Sequence, residues 1–236
     1  MNYFDLLLKE SEIDASEIAG AGEADKMPMD ADLNAPTMKR QRARGIKTYD
    51  SQFFRRFKSE RAMEECLDWE FERGAAYHVI SGGDVDSLSF LKHVLRQQRV
   101  EYLALSTWCM ALQDIEELDR YLELGRIGRL DCYVGEIFKG SYFNEYAQLL
   151  GLHKRHSGRI AIFRNHSKVF AGFGDKFDFA IASSANINTN PRTENTVITV
   201  DTGVALFYKD FFDGITSFER DFDDWQPYDV RRALQS

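Results

Sequence analysis

From Ala76 to Phe163 the chain alternates between short apolar runs rich in strand formers and longer stretches whose apolar residues recur every three or four positions. Tyr77–Ile80 reads as a strand ending at Ser81-Gly82-Gly83, and Asp86 or Ser87 caps a helix carrying Leu88, Leu91, Val94 and Leu95 on one face. Val100–Trp108 is a second strand. A helix with Leu112, Ile115, Leu118 and Leu122 in register follows and stops at Gly125. Leu130–Phe138 is a third strand, and Ser141–Leu152 a third helix with Tyr142, Tyr146 and Leu149 as its stripe. Each helix must bury its stripe against a sheet face. The alternation therefore predicts an α/β protein, an α-β-α sandwich around a largely parallel mixed sheet.

The second half departs from this rhythm. Arg159–Phe163 is an apolar strand run, Asn165-His166-Ser167-Lys168 interrupts it, and Val169-Phe170-Ala171 resumes. Gly172, Gly174, Asp175 and Lys176 mark a turn, after which Phe177–Ala182 returns into the small, polar Ser183-Ser184-Ala185-Asn186. If the two runs pair about Gly174-Asp175, the His166 end and the Ser184–Asn186 end meet at one sheet edge. Thr196–Asp201 adds a strand and Val204–Phe212 a closing helix. No internal repeat is visible.

That edge would hold an unusual set of groups. Lys168, two residues after His166, falls on the same face of a strand. Crowding a lysine beside a histidine is costly unless an anion sits there. Ser184 and Asn186 offer neutral donors for phosphate oxygens, and Glu194 can accept from an imidazole nitrogen and so fix the tautomer. A nucleophile, a cation and donors together suit phosphoryl chemistry. The plain alternative for His166 is a structural strand histidine.

His-x-Lys (His166, Lys168), then Ser184 and Asn186 in a small-residue element, then Glu194, resembles the active-site half-motif of the phospholipase D superfamily. The resemblance covers roughly residues 81–215, and its specific part spans about thirty residues. It implies a phospholipase D-like fold, with Ser184 binding phosphate, Asn186 stabilising it and Glu194 orienting the histidine. The family's Asp, five residues after the Lys, is Phe173 here, with Asp175 and Asp178 the nearest candidates, and Ser183 replaces a Gly. The resemblance implies a metal-independent phosphodiesterase or nuclease working through a phosphohistidine, with no cofactor. That mechanism uses two motif copies and this chain has one, so it implies a homodimer. A catalytically inactive nucleic-acid-binding or structural protein on the same fold is the alternative. A lipid phosphodiesterase is a third.

The formal net charge is −8, but residues 1–37 carry nine acidic and two basic side chains, leaving the rest near neutral. Residues 1–45 read as a flexible acidic tail, 46–215 as the catalytic domain and 216–236 as an acidic C-terminal extension. In the tail, Tyr3, Phe4, Leu6, Leu7 and Leu8 form either a docking peptide for a protein partner or a marginal helix. Lys39, Arg40, Arg42, Arg44 and Lys47 form either a phosphate-contacting arm or a solvated linker. Residues 50–73, with Phe53, Phe54, Phe57, Met63, Leu67 and Trp69, predict a helix on the sheet.

No apolar run approaches the length of a membrane span and no signal-peptide pattern opens the chain, so no membrane partner and a cytoplasmic setting are expected. Cys66, Cys109 and Cys132 lack paired spacing and read as buried free thiols rather than metal ligands. Ser81-Gly82-Gly83-Asp84 reads as a tight turn more readily than a phosphate cradle. His153 and His156 read as basic surface rather than a metal pair, and His78 and His93 as core or surface residues.

Overall fold

The computed structural model describes residues 51–67, 70–187 and 192–230. The tail, its Tyr3–Leu8 cluster and the Lys39–Lys47 run lie outside the described residues. So do Trp69 and the side chains of Phe53, Phe54 and Phe57.

Thirteen elements follow one another among the described residues. These are α1 (Ser51–Cys66), β1 (Ala76–Ser81), α2 (Ser87–Gln97), β2 (Val100–Thr107), α3 (Leu112–Glu123), β3 (Ile127–Gly135), α4 (Phe138–Ser141) and α5 (Phe143–Arg155). Then come β4 (Ile160–Phe163), β5 (Val169–Gly174), β6 (Asp178–Ser183), β7 (Glu194–Thr199) and α6 (Thr202–Asp213). The strands form one seven-stranded sheet in the order β1-β7-β6-β5-β2-β3-β4.

The period-2 pattern of β2 explains the layers. Leu103 and Leu105 face a core shared with α2, α3 and α5, while Tyr102 and Ala104 face the other side, with Ala205 and Phe212 of α6. Both faces are covered, so the sheet is the middle of a three-layer α/β sandwich.

The sheet is mixed, as expected, but its balance differs. Only β2–β3 and β3–β4 are parallel, whereas β2–β5, β5–β6, β6–β7 and β1–β7 are antiparallel. Connector length is the reason. A parallel crossover needs a dozen or more residues, and three residues join β5 to β6. The hairpin closes as the glycines predict, with Val169 opposite Ala182 and Phe173 opposite Asp178.

β3 starts three residues earlier than expected because Gly125, at φ +65, ends α3 and Ile127 pairs at once with Val100. Residues 216–230, acidic in sequence, lie against the domain. Phe218 N donates to Ile162 O, Trp225 Nε1 donates to the buried Asp131 at 3.1 Å, and Trp225 stacks on the Arg159 guanidinium at 3.5 Å. Tyr228 stacks on Tyr102 with ring centroids 4.8 Å apart.

Two expectations are corrected. His153 is buried rather than surface, since the α5 stripe of Tyr146, Leu149 and Leu152 extends to it and the Phe222 ring closes over it at 5.9 Å. Cys66 is exposed at the end of α1, while Cys109 and Cys132 are buried.

Candidate active site

After β4 the chain leaves the sheet edge and crosses the C-terminal ends of β3 and β2 to start β5 on the far side of β2. Asn165 pins that crossing. Its Nδ2 donates to Ser106 Oγ (2.9 Å), Tyr133 O (2.9 Å) and Thr107 O (3.3 Å). Its Oδ1 accepts from Ser167 N at 2.9 Å and Ser167 Oγ at 2.7 Å. These bonds replace a strand ladder, so His166 and Lys168 stand in an extended connector just before β5 rather than on a strand.

His166 is exposed and Lys168 is buried. Lys168 Nζ lies 3.1 Å from His166 Nδ1 and donates to His166 O at 2.6 Å. The two side chains are therefore adjacent, as the spacing predicts. Burial pulls the Lys168 ammonium below the usual lysine range, opposed by Cys109 and Glu194 nearby. The buried Cys109 thiol is pushed up by burial, with Tyr142 and Lys168 acting against it.

The hairpin carries the second half of the motif to the same edge. Ser183 N donates to Lys168 O at 2.9 Å, which places Ser184 one residue past the end of β6. Glu194 opens β7. Ser184 Oγ donates to its carboxylate, and Ser184 Oγ also accepts from Asn195 N at 3.0 Å. Asn186 follows, with a buried Oδ1 that has no hydrogen-bond partner among the described residues. Ile187 N donates to Thr107 Oγ1 and Ala111 N to Ile187 O at 3.0 Å, tying this loop to the one after β2.

Neighbours invisible to motif reading complete the site. Trp108 packs its indole beside the His166 ring at 5.6 Å. Ser81, at the end of β1, pairs in register with Glu194. The Ser81–Asp84 segment is a tight turn, with Gly82 N donating to Asp84 Oδ1 at 3.0 Å. The β1–β7 register brings Ser81 beside Glu194, a pairing that no local spacing announces.

Two carboxylates lie toward the turn end of the hairpin. Asp178, opposite Phe173, accepts from Thr202 Oγ1 at 2.7 Å and Gly174 N at 3.3 Å, tying the hairpin to α6. Asp175 accepts from Arg99 N. No group of three or more His, Cys, Asp or Glu among the described residues has metal-holding geometry. No helix among them is long and apolar enough to cross a membrane.

No family model and no curated protein matches the chain. Among solved structures, it is similar to a polyphosphate kinase from Porphyromonas gingivalis, at 16% identity over 68% of this chain and 30% of that one, TM-score 0.47. NucT from Helicobacter pylori matches at 16% identity over 58% of this chain and 94% of that one, TM-score 0.44. A phosphatidylserine synthase from Haemophilus influenzae matches at 13% identity over 68% and 44%, TM-score 0.46. The chain thus spans less than two thirds of the kinase and of the synthase. His166, Lys168, Ser184, Asn186 and Glu194 stand on adjoining segments at one end of the central strands of a mixed α/β sandwich.

Proposed function

We propose that the chain is a metal-independent phosphodiesterase that cleaves nucleic acid through a phosphohistidine formed on His166. The contact between His166 and Lys168, beside the Ser184–Glu194 pair on the next strands, is the observation that carries this reading. A tetrahedral anion there would take the Lys168 ammonium, whose burial beside an imidazole is otherwise unfavourable.

In the first step Lys168 Nζ turns from His166 Nδ1 to the phosphate, Nδ1 holds the imidazole proton, and the Nε2 lone pair forms the N–P bond as the P–O bond to the leaving group breaks. Lys168 and Asn186 stabilise charge on the equatorial oxygens. The leaving oxygen needs a proton, and one chain supplies one motif histidine. We therefore place the reaction between two copies, with the partner's His166 as the acid. In the second step water attacks phosphorus, the N–P bond breaks, and the partner's His166 takes the proton from water.

Cleavage of a nucleic acid or bis(p-nitrophenyl) phosphate in EDTA tests the reaction. Turnover that survives chelation and vanishes in His166→Ala supports it. A chain that stays monomeric while turning over would remove the shared site.

Phe173 at the position of the family's Asp favours a second reading, a protein that binds nucleic acid at this edge without cleaving it. Binding without turnover in the same assay selects it.

A further inference from the structure

The loop after β2 starts with Trp108, which is half-buried. Its indole and the His166 imidazole have ring centroids 5.6 Å apart and planes at 47°. The indole rests on the end of β3. A Cβ added to Gly135 would come within 2.5 Å of Trp108 Cδ1 and 3.1 Å of its Nε1. With no side chain beneath it, the ring sits directly on backbone. The indole also packs against the main core, and the residue as a whole stays only partly covered beside His166.

Two cations flank the same edge. Arg164 stands two residues before His166 and Arg192 two before Glu194. Both are exposed, and neither is ion-paired among the described residues. A bare phosphodiester held by His166 and Lys168 needs neither the aromatic surface nor the outer cations. A polyanion whose phosphates are separated by flat π-faced groups uses both.

We infer that Trp108 is a stacking subsite for the nucleobase adjoining the phosphate held at His166, so that the substrate class is single-stranded nucleic acid. The inference rests on the reading above only for the position of that phosphate. Bases in a duplex already stack on one another, and one must leave the stack to reach an indole beside its own phosphate. Arg164 and Arg192 then contact flanking phosphates and contribute a salt-sensitive, sequence-independent share of the affinity.

The test compares fluorescence-labelled single-stranded oligonucleotides of equal length, one with intact bases and one abasic, by stopped-flow anisotropy in EDTA read before turnover, with hydrolysis of each strand followed separately. The wild-type protein should bind the intact strand about tenfold or more tightly than the abasic strand, the scale of one base–aromatic stack. Trp108→Ala should erase that difference by weakening the intact strand to the abasic strand's level, and Trp108→Phe should keep most of it. Equal binding of both strands by the wild type overturns the inference. So does a base preference that survives in Trp108→Ala, or an equal loss of both strands, which would make the indole a prop for the site. Base-dependent binding without hydrolysis would leave the stacking subsite standing and remove the enzymatic reading. Hydrolysis without base dependence would do the reverse.

Discussion

Lys168 Nζ sits 3.1 Å from His166 Nδ1 and 2.6 Å from the same residue's carbonyl oxygen, so one buried ammonium touches its neighbour twice. Two contacts do not replace full hydration. Desolvation pulls the lysine pKa below its ordinary 10.5.

Lys168→Met should therefore separate function from stability. Removing the ammonium should lower turnover of a phosphodiester by about a hundredfold, the scale of one lost transition-state contact. It should not destabilise the fold. In the wild type the unfolded chain holds the lysine proton to higher pH than the folded one, so stability rises as pH approaches 10.5 from below. Urea midpoints measured across that alkaline range should rise for the wild type relative to Lys168→Met.

Asn165→Ala removes a buried side chain that makes five hydrogen bonds across β2, β3 and the connector. The Ser106 and Ser167 hydroxyls keep their mutual 2.6 Å bond, and the stranded Ser167 N–H and Tyr133 and Thr107 carbonyls should cost about 3 kcal/mol, read as a lower thermal or urea midpoint. Turnover should fall further than stability alone accounts for, because His166 is the next residue.

Gly135→Ala tests the seat of the indole. Its new Cβ would meet Trp108 Cδ1 at 2.5 Å and Trp108 O at 2.9 Å, and the carbonyl cannot move without the loop. The expected cost is about 1–3 kcal/mol by denaturant titration, with a change in tryptophan emission.

His153 predicts an acid limb. Burial lowers its pKa to about 3, first by desolvation and then through His156 and Arg129. Between the ordinary histidine value of 6.5 and about 3, the unfolded chain carries a proton the folded chain lacks. Stability contributed above pH 6.5 is therefore lost as pH falls through that window, at up to about 1.4 kcal/mol per pH unit. His153→Leu should flatten this slope in chemical denaturation at pH 4 to 6, values of about that range being where the linkage acts.

Local sequence rules located most elements because they follow from the period of side chains along one segment. The stripes of Leu88, Leu91, Val94 and Leu95 and of Ile115, Leu118 and Leu122 are buried as read. The glycine turn closes the β5–β6 hairpin and carries Ser184 to the level of Lys168. The closeness of the segments carrying His166, Lys168, Ser184, Asn186 and Glu194 was legible for the same reason, since a short connector, one hairpin and the start of the next strand hold them. His153 was misread because its cover, Phe222, comes from a distant segment.

The sequence by itself determined the alternation of elements, the hairpin and the identity of the residues at its open end, because these depend on neighbours a few positions away. Only the tertiary structure decided that β5 crosses to the far side of β2, that Trp108 leans on His166, and that Ser81 stands beside Glu194. Strand order and register arise from burying both faces of the whole sheet at once, and no short window of sequence contains that free energy.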